Sequence, residues 1–201
     1  MAHRKAQQMI RELPTNITIL KGHHDDCTGT DGCVMDIVSY VCGYDKITDH
    51  PPCACPVLTS FAIRLNDSIQ DDVLRTRLLA PLISSLAGSK SSPEVEQRRA
   101  YYFADRAVRL FAPLALEAKG YTEQAARLRA LPEVVDSQTA DAAADAAARA
   151  AAYAYAAAYA ADAAAAAAAD ARTAAAYAAA DAAAEVYPQA AKVLETACSI
   201  H

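Results

Sequence analysis

Apolar positions recur at helical spacing along most of the chain. Val34, Val38 and Val41, with Met35 and Ile37 beside them, predict a helix over residues 31–42. Gly43 closes it, because glycine accepts the left-handed backbone of a helix end. Val57, Phe61, Leu65 and Ile69 repeat at every fourth position and predict a helix over 56–69. Asp71 caps the next one, with Val73, Leu74, Leu78, Leu82, Ile83 and Leu86 on one side and Pro81 as a kink. Ser92 followed by Pro93 starts a helix that reaches Pro113 or, kinked, Lys119, with Gly120 at its end. A shorter helix over 122–131 stops at Pro132. Ahead of all these, residues 6–13 suit a short helix, and Ile17-Thr18-Ile19-Leu20 is β-prone. A polar loop, 21–32, joins that stretch to the first long helix.

The C-terminal third follows another rule. From Ala140 to Ala184, 33 of 45 residues are alanine, and no Gly or Pro interrupts residues 137–187. Alanine is the best helix former, and fifty helical residues would span roughly 75 Å. At 100° per residue, Asp141, Asp145, Tyr155, Tyr159, Asp162, Asp170, Thr173, Tyr177 and Asp181 fall on one stripe, and Arg172 violates it. Tyr159, Asp170 and Asp181 are eleven apart, a period that keeps a stripe nearly parallel to the axis. The rest is smooth alanine, which permits close helix–helix approach but buries little area per residue. Tyr155, Tyr159, Asp162, Asp170, Tyr177 and Asp181 are therefore the candidate interaction residues, for a second copy or for a protein partner. The bland alternative is a half-packed helix held by propensity alone. An ice-binding face would need a threonine row, and only Thr173 lies on the stripe.

Charge narrows the partners. The formal net charge is −5, which argues against a sequence-independent nucleic-acid binder. The alanine tract carries Asp145, Arg149, Asp162, Asp170, Arg172 and Asp181, too many charges for a membrane span. The N-terminus lacks the apolar run of a secretory signal, so reduced thiols and a cytoplasmic setting are expected. Five of the six cysteines nevertheless fall between Cys27 and Cys55.

That cluster is the candidate site. Cys33 and Asp36 share a helix face, and His50 and Cys53 lie on the loop leading to the next helix. With Cys33, His50, Cys53 and either Asp36 or Cys55, zinc would find four ligands of the right chemistry, with His23, His24 and Cys27 as further donors nearby, although the spacing departs from paired Cys-x-x-Cys modules. A second reading takes Cys33 or Cys53 as a thiolate nucleophile and His50 as its base. A third is structural: Asp49 caps or braces the loop, His50 bonds a backbone carbonyl, and Cys33, Cys42 and Cys53 pack as small apolar residues. Arg98, Arg99, Arg106 and Arg109 gather positive charge that could meet a phosphate or an acidic partner; Arg–Asp pairing on a solvated face is the bland reading.

Three segments also carry a resemblance: Gly32-Cys33-Val34-Met35-Asp36, Asp49-His50-Pro51-Pro52-Cys53 and Leu65-Asn66-Asp67. With the alanine-rich tail, they resemble a group of actinobacterial and actinobacteriophage proteins that share Gly-Cys-Val-Met-Glu/Asp, Asp-His-Pro-x-Cys and Leu-Asn-Asp segments. Asp36 stands where glutamate is commoner in that group, and Cys55 is an addition. The resemblance implies a phage or actinobacterial origin and no particular reaction. The expected architecture is all-α: an arm over 1–14, a compact helical domain over 15–132 with at most a short strand, and an alanine-rich helical tail over 133–201, broken near 170–173 and folded back. The expected function is a non-enzymatic interaction or assembly protein, a virion component or accessory factor with no required cofactor. The alternative is a metal-binding or Cys/His enzyme centred on Cys33, His50 and Cys53.

Overall fold

The computed structural model describes residues 11–165 and 187–200. Helices dominate, and two two-residue strands are the only sheet among the described residues. In order they are β1 (Thr18–Ile19), β2 (Asp31–Gly32), α1 (Val34–Val41), α2 (Pro56–Ser68), α3 (Asp72–Leu79), a 3-10 turn (Ala80–Leu82), α4 (Ile83–Leu86), α5 (Pro93–Arg106), a π-turn (Ala107–Phe111), α6 (Ala112–Glu117), α7 (Thr122–Arg129) and α8 (Ser137–Ala165). A last helix, α9, covers residues 187–198. None of the described helices is long and apolar enough to cross a membrane.

The described residues divide into two compact units, residues 11–99 with 190–200 and residues 100–165 with 187–189. The expected separate tail therefore does not stand as one body, since its last residues belong with the N-terminal half. Expected breaks near 170–173 lie outside the described residues.

In the first unit, β1 and β2 pair in parallel, Thr18 opposite Asp31 and Ile19 opposite Gly32. The expected helix start at Asp31 thus gives way to a strand, and α1 begins three residues later, at Val34. The reason is local. Cys33 takes the N-cap position and its sulfur accepts from the Asp36 amide, while the Asp36 carboxylate accepts from the Cys33 amide at 2.9 Å. This is a capping box with a thiol in the usual hydroxyl role. Residues 11–14 are irregular rather than helical, because the Arg11 amide is bonded to Val41 O at 2.7 Å and its guanidinium lies 4.8 Å from the Tyr40 ring centre. Residues 1–10 of the expected arm lie outside the described residues.

Ile19, Val34, Met35, Ile37, Val38, Leu58, Ala62, Ile69, Leu79, Ile83 and Leu86 are fully buried and form the core of this unit. Leu194 and Ala197 of α9 are fully buried as well. Val73, expected on the apolar face of α3, is exposed. The inward position on α3 goes to Arg75, which is fully buried and lies in line with buried Leu79, Leu82 and Leu86. Gly29 sits at φ +96°, and any side chain there would run into the Tyr40 ring.

In the second unit, Pro113 removes the amide that would bond the Arg109 carbonyl. The helix answers by widening to a π-turn just before it, with the Ala112 amide reaching Ala107 O. Leu116, Ala125, Leu128 and Ala150 form a small core, with Val108, Ala112, Tyr121, Leu131, Ala146 and Ala154 packed around it. Pairing of α7 with the alanine helix α8 is what closes this unit.

Candidate functional site

The loop between β1 and β2 is wired to α1 through one carboxylate. Asp36 is fully buried. Its Oδ2 accepts from the amides of Cys33 and His24, each at 2.9 Å, and its Oδ1 lies 2.5 Å from His23 Nδ1. His23 Nε2 meets Asp25 Oδ1 at 2.8 Å. Both ring nitrogens thus face carboxylates, an arrangement that calls for two N–H groups and hence the charged ring. The hydrogen bond to Asp36 raises the His23 pKa above its usual value of 6.5; burial opposes this, and Asp25 and Asp49 add to it. His24 Nδ1 lies 3.7 Å from Asp36 Oδ2, beyond hydrogen-bond reach, and is buried without a partner.

The Leu65-Asn66-Asp67 segment completes this frame from α2. Fully buried Asn66 accepts from the Val34 amide at 3.2 Å and donates to Leu20 O and to Asp67 Oδ1, both at 3.0 Å. Asp67 Oδ1 also accepts from the Gly22 amide at 3.0 Å. Beneath it, Arg75 donates to Asn66 O at 2.8 Å, to Ile19 O at 3.2 Å and to Ile69 O, and pairs with Asp72. Two of the three segments behind the family resemblance are therefore one polar brace that fixes the path of residues 19–24.

The four predicted metal ligands are not brought together. Cys33 spends its sulfur on the helix cap, and Asp36 binds His23. His50 is exposed and bonded to Asp49 at 2.9 Å. Cys53 forms a disulfide with Cys42. Among the described residues, no group of three or more His, Cys, Asp or Glu side chains is arranged to hold a metal ion. The thiolate reading meets the same obstacle. Burial and the Asp36 charge push the Cys33 thiol far above its normal pKa, the reverse of what a nucleophile needs. Expectation of a fully reduced chain fails at Cys42 and Cys53: the end of α1 and the following loop bring their Cα atoms to 6.8 Å, inside bonding range. Cys27, Cys33 and Cys55 are free and buried; of the three cysteines named in the structural reading, Cys33 is buried as a free thiol, whereas Cys42 and Cys53 are bonded to each other.

The arginine cluster is likewise spent internally. Arg99 is buried and donates to Ser89 O at 2.7 Å and Ile200 O at 3.1 Å. Arg106 and Arg109 both pair with Asp105, at 2.7 and 2.8 Å, and this buried carboxylate also accepts from the Val134 amide. Arg98 has a partner too. The anion-binding role expected of Arg98, Arg99, Arg106 and Arg109 gives way to intramolecular pairing.

The alanine helix keeps one face free. Ala143 and Ala150 are buried, and Ala146 and Ala154 half-buried, against the core of the second unit. Tyr121 donates to Ala154 O at 3.4 Å and stands edge-on to Tyr153, ring centres 6.1 Å apart. On the opposite side, Asp141, Asp145 and Tyr155 are exposed, Tyr155 to 76%. Tyr159 and Asp162 fall on the last turns of α8, whose side chains lie outside the described residues, as do Asp170, Tyr177 and Asp181 altogether. A cleft of about 430 Å³ beside α8 is lined by Arg127, Leu128, Leu131, Arg149 and Tyr153, among others.

Sequence reasoning missed Arg75, and it took His23 as a further metal donor rather than as the partner of Asp36. The signal for Arg75 was its place in the 75, 79, 82, 86 spacing, where a lone cation on an apolar stripe implies a buried ligand of carbonyls. No protein-family profile, curated protein or solved structure matches the chain.

Proposed function

We propose that the protein is a non-enzymatic helical interaction module that docks a second copy or another protein on the outer face of α8. One observation carries this reading: α8 uses its alanine face for its own unit and leaves the Asp/Tyr face, opposite, in solvent. Tyrosines supply large, stiff contact area with a polar tip, and Tyr155 is one of the few exposed large apolar side chains among the described residues. In the setting that the resemblance implies, such a module would serve as a virion component or an accessory factor in the host cytoplasm. Engagement of Cys33 and Cys53 elsewhere supports the interaction class over the Cys/His enzyme class.

Native mass spectrometry of the untagged chain, with no metal added, tests this. An assembly whose subunit count falls when Tyr155 is changed to Ser is the expected outcome. A monomer carrying stoichiometric zinc that is lost in His50→Ala would overturn the reading.

A further inference from the structure

Six exposed positions of α8, Gln138, Ala142, Asp145, Arg149, Ala152 and Ala156, are spaced four, three, four, three and four apart. That is the spacing of a two-helix seam. The seam is broader in consequence than the Asp/Tyr stripe, because it contains a cation. Its order is self-complementary about residue 147: in an antiparallel pair, 145 faces 149, 142 faces 152 and 138 faces 156 of the other helix. Asp145 would then meet Arg149 twice, once on each side of a two-fold axis, and alanine would meet alanine beyond.

Three observations support this beyond the spacing. Among the described residues, neither Asp145 nor Arg149 forms an ion pair, although they stand four apart on one helix. Alanines next to the charges let two backbones approach closely, which brings short side chains such as aspartate within reach. Tyr153 and Tyr155, 55% and 76% exposed, stand at the two edges of the seam and supply the apolar area that an alanine stripe lacks.

We infer that α8 pairs with α8 of a second copy, antiparallel, about a two-fold axis near residue 147, with reciprocal Asp145–Arg149 contacts. This rests on the docking reading above and narrows it to one occupant and one register. An isologous contact of this kind closes at two subunits and leaves no open surface for further growth.

Sedimentation of the full chain across a concentration series tests the inference, with far-UV circular dichroism verifying helix content. Asp145→Arg alone places Arg against Arg at both contacts, and Arg149→Asp alone places Asp against Asp. Each should weaken the dimer roughly tenfold or more. The double exchange D145R/R149D restores opposite charges and should recover the dimer to within about threefold. Asp145→Asn, a milder change, should weaken it less and remove much of its salt dependence. A wild-type monomer, or a dimer that ignores both single reversals, overturns the inference. A dimer lost in Tyr155→Ser yet indifferent to the reversals keeps the docking face and overturns this register.

Discussion

His23 places a titratable ring between a buried carboxylate, Asp36, and an exposed one, Asp25, with Asp49 as a further charged neighbour and the His24 ring on the other side of Asp36. Its pKa is raised in the folded chain, so the charged ring stabilises the loop. The contribution is fully present below the unfolded value of about 6.5 and fades as pH rises through the higher folded value. Urea midpoints of the wild type and of His23→Asn, taken from pH 5.5 to 8.5, should therefore differ most at the acidic end and converge toward the basic end. A gap that stays constant with pH would show that the ring acts by packing alone. Arg75 makes the complementary point. Four neighbouring oxygens satisfy its guanidinium without a solvated face. Little of this was legible in the sequence, because Asp36 and His23 are thirteen positions apart and only the folded loop makes them neighbours.

The helices themselves were legible. Apolar spacing located α1 and α2, Pro132 bounded α7, and Asp71, Gly43, Ser92-Pro93 and Gly120 marked ends that the structure keeps. Local chemistry fixes such boundaries, so a single sequence suffices to see them. The loop after α1 was harder, since its closure is covalent. Cys42 and Cys53 are eleven residues apart, and a loop of that length restricts the unfolded chain by about 3 kcal/mol once closed. Reduction with dithiothreitol, or Cys42→Ser, should lower unfolding stability by about 2–3 kcal/mol, read from urea titrations monitored by circular dichroism. The reagent should then have no further effect on the Cys42→Ser variant. Equal sensitivity of wild type and variant to dithiothreitol would sink this assignment. The same bridge explains why Cys53 was misread: a cysteine after Asp-His-Pro-Pro looks like a ligand until its partner across the loop is known.

At the scale of the whole chain, the alanine tract lies in sequence between a unit and that unit's own last helix. Residues 190–200 belong with 11–99. Leu194 and Ala197 are fully buried, Val193 nearly so, and Ile200 O accepts from Arg99. Composition hid this, because residues 188–198 read as the fading end of an alanine-rich tail, while five of their side chains, Ala190, Ala191, Val193, Leu194 and Ala197, are buried. Removing everything after residue 136 would thus strip both the α8 face and part of the first unit, and loss of assembly in that truncation could not be assigned to either. A single substitution separates them. Leu194→Ala deletes a fully buried side chain and should cost about 2–5 kcal/mol. The damage should be confined to one unit. Amide hydrogen exchange should rise in α1 and α2, while α7 and the first half of α8 keep their protection. Exchange that rises in α7 and α8 instead would mean that the last helix completes the second unit, and the division at residues 99 and 190 would have to be redrawn.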